Sequence, residues 1–416
     1  MSALLPSERM PLPATLPRGE RTWQGLLEAV LFALGFFAVF SPAGTSVAMG
    51  GLLLLALARP VRTWQTRPWR EPLLAIGLLL LAYIALRSLV AGGLSLHSLH
   101  PANKYQELLL LPLIWALLRL ARRPFFLGQG LVAGALTLAS LYWIGLAIGA
   151  DKFPGFAAWL VAHRISAGFA LSVCAFLLLE HARLGKLPRK LAWAGALLLA
   201  ATVLVPMNGR TGHLLLLLLL LCFAFRAAPR RARLPAMVGV LVVAVLAGAL
   251  VPSVRERVLE TFRDTRTTGH AQVGQDSSTT IRLEILENAT QVAREHWGVG
   301  TGWDQYPQAF AEVSARRHAD PKQVKGALSD NPHNEYLMQL GAGGLPALLL
   351  FVAWLAWPVI RGLRAAGRGQ PWTGALACVA VAFAVGSLFN SLLLDFIEAH
   401  FYAALTAWLL VRRVED

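Results

Sequence analysis

From Trp23 onward, long apolar runs alternate with short polar breaks. A helix crosses the hydrocarbon core with about 20 apolar residues, roughly 17–25. On that scale the pattern predicts twelve spans: 24–41, 44–58, 72–91, 104–121, 125–149, 164–181, 190–206, 211–226, 234–252, 334–360, 371–391 and 396–411. The second is short, and is expected to be tilted or partly re-entrant. The tenth carries Gly341, Gly343, Gly344 and Pro346, so a break is expected near its outer end. The fold class is therefore an all-α integral membrane protein with about 12 transmembrane helices.

The connections between runs alternate in charge. One set holds Arg59, Arg62, Arg67 and Arg70, then Arg119, Arg122 and Arg123, then Arg183, Lys186, Arg189 and Lys190. It continues through Arg226, Arg230, Arg231 and Arg233, and through Arg361, Arg364 and Arg368; both termini join it. The positive-inside rule places these loops and both termini in the cytoplasm.

One connection is long. Residues 253–332 form a segment on the predicted outer side, and a loop of that length is usually functional when ordered. Two amphipathic stripes run through it: Val254, Val258, Leu259 and Phe262 in 254–264, and Ile281, Ile285, Ala289 and Val292 in 279–295. The polar stretch 265–280 between them is expected to be mobile. The domain plan is thus a cytoplasmic tail at 1–23, nine spans over 24–252, an outer-side loop at 253–332 (periplasmic if the membrane is a Gram-negative inner membrane), three spans over 333–411, and a tail at 412–416.

Composition sharpens this picture. The chain is 56% hydrophobic and 15% charged, which excludes a soluble enzyme and a disordered chain. The net charge of +15 would suggest nucleic acid in a soluble protein. Here the basic segments and termini carry +17, and 253–332 holds 10 Lys/Arg against 11 Asp/Glu. The excess reports orientation, so no nucleic-acid partner is expected. Cys174, Cys222 and Cys378 lie singly in apolar runs and read as small core residues.

Ionisable residues near membrane depth are expensive and point to function. On the outer half they are Lys104, His163, Arg164, Arg210, His213, His333, Glu335, Asp395, Glu398 and His400; Glu28 and Arg87 also fall within spans. Arg210 sits in the glycine-flanked turn Asn208-Gly209-Arg210-Thr211-Gly212, where a guanidinium can grip a phosphate. The bland alternative is an interfacial arginine snorkelling to headgroups. His333 follows Asp330-Asn331-Pro332. A cap at Asp330 or Asn331, with Pro332 opening the helix, puts His333 in a first turn, where the helix N-terminus favours a neutral imidazole and attracts phosphate. The alternative is a histidine satisfied by Glu335. Arg282 opens the second amphipathic helix, or is a solvated surface charge. Lys104 and Arg164 have the right depth and sign.

Other signals are weak. His97 and His100 have i,i+3 spacing without a carboxylate, a poor metal site. Gly298-Val299-Gly300-Thr301-Gly302 lacks the preceding strand of a dinucleotide loop and reads as a tight turn flanked by Trp297 and Trp303 as interfacial anchors. No metal cluster, nucleotide loop or cofactor motif appears. Outer cations around a histidine suit a lipid-linked diphosphate, whose departure needs electrostatic stabilisation and whose acceptor needs a base.

Three pieces of this sequence resemble the bacterial O-antigen ligases, which share a superfamily with O-antigen polymerases and protein O-oligosaccharyltransferases. Pro332-His333-Asn334-Glu335-Tyr336-Leu337, continued by Gly341 and Gly344-Leu345, is similar to the family's His-Asn motif. Asn208-Gly209-Arg210-Thr211-Gly212 is similar to its Ser-Arg-Thr/Gly turn, with Asn-Gly in place of the usual serine. Arg282, Gly298-Val299-Gly300 and Phe310 resemble its Arg…Gly-x-Gly…Phe run. The resemblance implies a membrane C-type glycosyltransferase fold in a Gram-negative inner membrane. It implies metal-independent, inverting transfer of polysaccharide from undecaprenyl diphosphate to a lipid A-core sugar at the periplasmic face. His333 matches the catalytic histidine, and Arg210 and Arg282 match the arginines on the donor diphosphate. Asn334 and Tyr336 are supporting residues, and Lys104 and Arg164 join the diphosphate set on charge and depth alone. No cofactor is implied.

Rival readings remain. A polymerase would use the same donor with a second lipid-linked glycan. A protein O-oligosaccharyltransferase is expected to carry more soluble chain after Leu410. A transporter, with Glu28, Arg87 and Asp395 along its path, would favour inverted repeats, which the sequence does not display.

Overall fold

A computed structural model describes residues 17–252, 278–318 and 331–412, less 94, 96, 150–151, 186, 208 and 366–369, plus 254–256, 259, 326, 328 and 329. Its regular structure is helical, with no strand among the described residues. Each of the twelve apolar stretches falls on a helix: α1 (Arg18–Phe37), α2 (Pro42–Leu57), α4 (Pro72–Gly92), α6 (Glu107–Leu120), α7 (Phe125–Ile148), α9 (Arg164–Leu184), α10 (Arg189–Leu204), α11 (Arg210–Ala227), α12 (Arg233–Leu250), α15 (Glu335–Ala365), α16 (Pro371–Gly386) and α17 (Phe396–Arg412). Short helices α3 (Pro60–Gln65), α5 (His100–Asn103) and α8 (Pro154–Ala162) lie between them, and α13 (Ser278–Glu295) and α14 (Tyr306–Arg317) belong to the long connection.

Among the described residues six helices are long and apolar enough to cross a membrane, or up to seven counting one bent pair. The chain is a multi-pass membrane protein. Several remaining helices are shorter. Those of 14–17 residues rise only about 21–26 Å. The bent pair is the second stretch, which turns by 94° where Pro42–Leu57 gives way to Pro60–Arg70.

Helices α9 and α17 form the centre, with nearly every residue of α17 buried. Helix α12 buries none of its residues and packs mainly against α11 at the rim. At the basic-loop end a carboxylate ties three helices together. Glu180 of α9 is fully buried and accepts from Arg226 Nε of α11 at 2.8 Å, and Arg226 Nη2 reaches Pro371 O at the start of α16, also at 2.8 Å. At the opposite end α9 and α11 meet glycine to glycine. A Cβ on Gly168 would lie 2.8 Å from Gly212 Cα, so only glycine permits this approach.

Helix α15 breaks at Gly344 (φ 67°, ψ −168°), as the glycine cluster predicts. The break frees backbone groups that lipid cannot satisfy. The segment before α14 satisfies them: Thr301 N donates to Gly341 O (2.9 Å), Gly302 N to Ala342 O (2.8 Å) and Leu345 N to Trp297 O (2.8 Å). Arg87 clamps this segment from α4, donating to Val299 O (2.8 Å) and Gly300 O (2.7 Å), and Tyr83 OH donates to Gly343 O (2.8 Å). Arg87 is thereby committed to structure. Trp303, expected at the interface, is instead buried, donating to Tyr105 OH at 3.1 Å. The second amphipathic stripe forms as expected, with Ile285, Ala289 and Val292 of α13 buried towards α15. The first stripe, the 265–280 stretch and the terminal tails lie largely outside the described residues, although α1 starts at Arg18, ahead of the expected tail boundary at 23.

Gly344→Ala should destabilise the fold by about 1–3 kcal/mol and so lower the unfolding temperature in detergent, because its φ/ψ is accessible only to glycine and a Cβ would overlap Gly298 O. Thermal unfolding followed by tryptophan fluorescence checks this; an unchanged midpoint rejects the docking.

Candidate functional site

Three arginines start or lie near the start of helices at the end opposite the basic loops. Arg164 is the first residue of α9, Arg210 the first of α11, and Arg282 sits in the first turns of α13. The Gly168–Gly212 contact, one turn below, brings the first two N-termini together. All three are part-buried. Their fields overlap: burial lowers the Arg282 pKa, and the charges of Arg210 and Arg164 lower it further. Among the described residues no carboxylate pairs with Arg164 or Arg282 within 4 Å. A concentration of like charge of this kind, backed by helix N-termini, is suited to an anion.

His333 stands beside this group. Its pKa is depressed first by burial and then by the charge of Arg282, so the imidazole is held neutral at physiological pH. The expected cause was a helix N-terminus, and that expectation is corrected. Helix α15 begins at Glu335, and Asn334 is its cap, its Oδ1 accepting from Leu337 N at 3.0 Å. His333 therefore precedes the helix, in the left-handed region (φ 47°). Asn331 sets that conformation: its Oδ1 accepts from His333 N (2.9 Å) and from Ser391 Oγ (2.8 Å). Asp330, the other expected cap, lies outside the described residues.

Glu335 does not pair with His333. It is fully buried, and its carboxylate accepts from Gln339 Nε2 (2.8 Å), Leu393 N (3.1 Å) and Leu394 N (3.3 Å). The glutamate thus holds a non-helical turn, 387–395, which the apolar pattern of 371–391 disguised as the end of a span. That turn is the hub of the site. Its Leu388 O accepts from Asn334 Nδ2 (3.0 Å), and its Asn390 Nδ2 donates to Thr211 Oγ1 (3.1 Å) beside Arg210. Just beyond it, Glu398 accepts from Ser166 Oγ (2.8 Å), two residues from Arg164. Tyr336 OH donates to Ala384 O at 3.0 Å, just before the turn. Asn334 and Tyr336 are therefore scaffold.

Lys104 is exposed on the turn before α6 and is not joined to the arginines by any contact among the described residues. It lines a neighbouring cavity of about 330 Å³ with Asn331 and Asp395, whose carboxyl is raised by burial to about 6. Ser391 and Asn390 are residues around the site that sequence reasoning missed, and Asn331 reads from sequence only as a candidate helix cap, since single amides and hydroxyls carry no distinctive spacing. Among the described residues no group of three or more His, Cys, Asp or Glu is placed to hold a metal ion. A second cavity, about 510 Å³ and almost wholly apolar, runs between α11 and α12. Its polar lining residue is His213, three positions on from Arg210, with Leu216, Leu217 and Leu220 below.

Residues 194–352 match the family model described as O-antigen ligase. That segment belongs to the O-antigen ligase/polymerase superfamily. No curated protein matches the chain. The matched segment carries Arg210, Arg282, His333, Asn334 and Tyr336, whereas Lys104 and Arg164 fall before it.

Removal of the Arg282 charge should release His333 toward its ordinary value. Labelling of His333 by diethylpyrocarbonate, which needs the neutral ring, should show a midpoint below 6.5 in the wild type. The midpoint should move upward in Arg282→Gln. Peptide mapping by mass spectrometry reads it, and an unmoved midpoint would separate the two residues.

Proposed function

We propose that the chain is an O-antigen ligase. It transfers polysaccharide from undecaprenyl diphosphate to a lipid A-core sugar at the periplasmic face of a Gram-negative inner membrane. The observation that carries this reading is the convergence of Arg164, Arg210 and Arg282 on one helix-N-terminal end, with a neutral His333 in the field of Arg282. The superfamily match supports the substrate class. The positive-inside pattern puts that end outside the cytoplasm, where no nucleotide donor is at hand.

The chemistry follows from the charges. The donor diphosphate sits among the guanidinium groups, which stabilise the negative charge that grows on the leaving oxygen. His333 accepts the proton of the acceptor hydroxyl as that oxygen attacks the anomeric carbon. The bond to the diphosphate breaks on the opposite face, so the configuration inverts and undecaprenyl diphosphate departs. The apolar cavity between α11 and α12, with His213 in its lining three positions along α11 from Arg210, suits the prenyl chain. Lys104, on the cavity shared with Asn331, is placed to meet the acceptor or the glycan more readily than the diphosphate.

His333→Ala should cut transfer by about 10²–10⁴-fold while the protein stays folded in the membrane. The assay combines purified protein, lipid-linked polymer and lipid A-core, read on a gel; wild-type turnover would reject the base. Arg210→Ala should cost about 10²–10³-fold and weaken donor binding. EDTA should leave the wild-type rate unchanged, and loss of activity on chelation would overturn the metal-independent step. Deleting the gene decides between ligase and polymerase. Loss of all polymer-bearing lipopolysaccharide with accumulated lipid-linked polymer supports the ligase. A single-repeat band replaces it with a polymerase.

A further inference from the structure

The end of the bundle that carries the basic loops holds a cavity unrelated to the arginine cluster. It measures about 520 Å³ and lies where the start of α7, the last turn of α9, the start of α16 and the end of α17 meet. That volume is within the usual range of small-molecule sites, roughly 300–1,000 Å³. Along α7 it is lined by Phe125, Gln129, Val132, Ala133 and Leu136. These positions share one helix face and extend about 16 Å along the axis, from the helix start to its middle.

The two ends of this groove differ in chemistry. At the end by the basic loops stand Gln129, His181 and Arg412. Arg412 is held rigidly: its guanidinium carbon lies 5.0 Å from the Trp372 ring centre and 4.8 Å from that of Trp408. His181 packs on Trp372, with ring centres 4.8 Å apart. Gly128 admits the Trp408 indole at a distance no Cβ would tolerate. Towards mid-membrane the lining is Val132, Ala133 and Leu136, without a polar atom on the side chains. Phe125 and Leu187 flank the mouth and are exposed.

A fixed guanidinium and an imidazole at the interface, over an apolar trough reaching towards the bilayer centre, match one kind of molecule. We propose that this groove binds an anionic phospholipid, the phosphate on Arg412 and His181 and one acyl chain along α7. Charge complementarity selects an anionic lipid over a zwitterionic one, because the surrounding loops carry most of the chain's positive charge. The site is independent of the transferase reading, and neither depends on the other.

Native mass spectrometry of the whole protein, released from non-ionic detergent and titrated with phosphatidylglycerol or phosphatidylcholine, tests it. The wild type should retain one phosphatidylglycerol at concentrations where phosphatidylcholine is lost. Arg412→Gln should weaken that binding about tenfold. Ala133→Trp, which fills the trough but keeps the cation, should weaken it at least as much. Thermal unfolding establishes that both variants fold. Equal affinity for the two lipids overturns the proposal. So does wild-type binding in Ala133→Trp, or displacement of the lipid by inorganic phosphate at millimolar concentration, which would mark a simple ion site.

Discussion

Inside a bilayer every backbone N–H and C=O must find its partner within the protein. Among the described residues, the break of α15 at Gly344 and the non-helical turn 387–395 both strain that requirement. Each break is satisfied from elsewhere in the sequence. The segment 297–302, clamped by Arg87, supplies donors and acceptors for the first. The buried carboxylate of Glu335 accepts two backbone N–H groups of the second. Because these partners come from α4, α15 and the long connection, none of the surrounding elements can shift without exposing polar backbone. That rigidity fixes Asn331, and through Asn331 the left-handed backbone of His333.

The cations of the two ends are treated differently. At the basic-loop end, several arginines are paired or stacked: Arg59 and Arg62 on Glu20, Arg183 and Arg226 on Glu180, Arg412 between two indoles. At the other end Arg282 lies in the field of Arg210 and Arg164, whose charges disfavour its protonated form. An anion relieves that repulsion on binding. On the function proposed above, like charges held together by rigid scaffolding would favour binding of the donor diphosphate, which offers two adjacent charged groups.

Periodicity and charge made much of this legible. Apolar runs located the helices because each run must be long enough for the membrane. The glycine cluster around Gly344 announced a break because no other residue tolerates that backbone. The stripe Ile281–Val292 declared a buried face. What stayed hidden shares one physical cause: it depends on contacts between residues far apart in sequence. The run 371–391 is apolar enough to read as one span, so Gly386-Ser387 and Asn390-Ser391 pass for its end instead of a turn that stops the helix at Gly386. Trp303 looks like an interfacial anchor until Tyr105 supplies its acceptor. Asn331 and Asn390 resemble ordinary loop amides until Ser391 and Thr211 are seen opposite them.

The neutral state of His333 likewise depends on residues far apart in sequence. A neutral imidazole was expected from a helix N-terminus, a local device. The structure reaches the same protonation state by burial and a cation brought from residue 282. The difference matters chemically. A helix dipole is a permanent property of the fold, whereas the field of Arg282 depends on what else that guanidinium is holding. An anion seated on Arg282 would cancel part of the charge felt by the imidazole and raise its proton affinity. On the function proposed above, such a base would be coupled to its substrate through one arginine on the long connection.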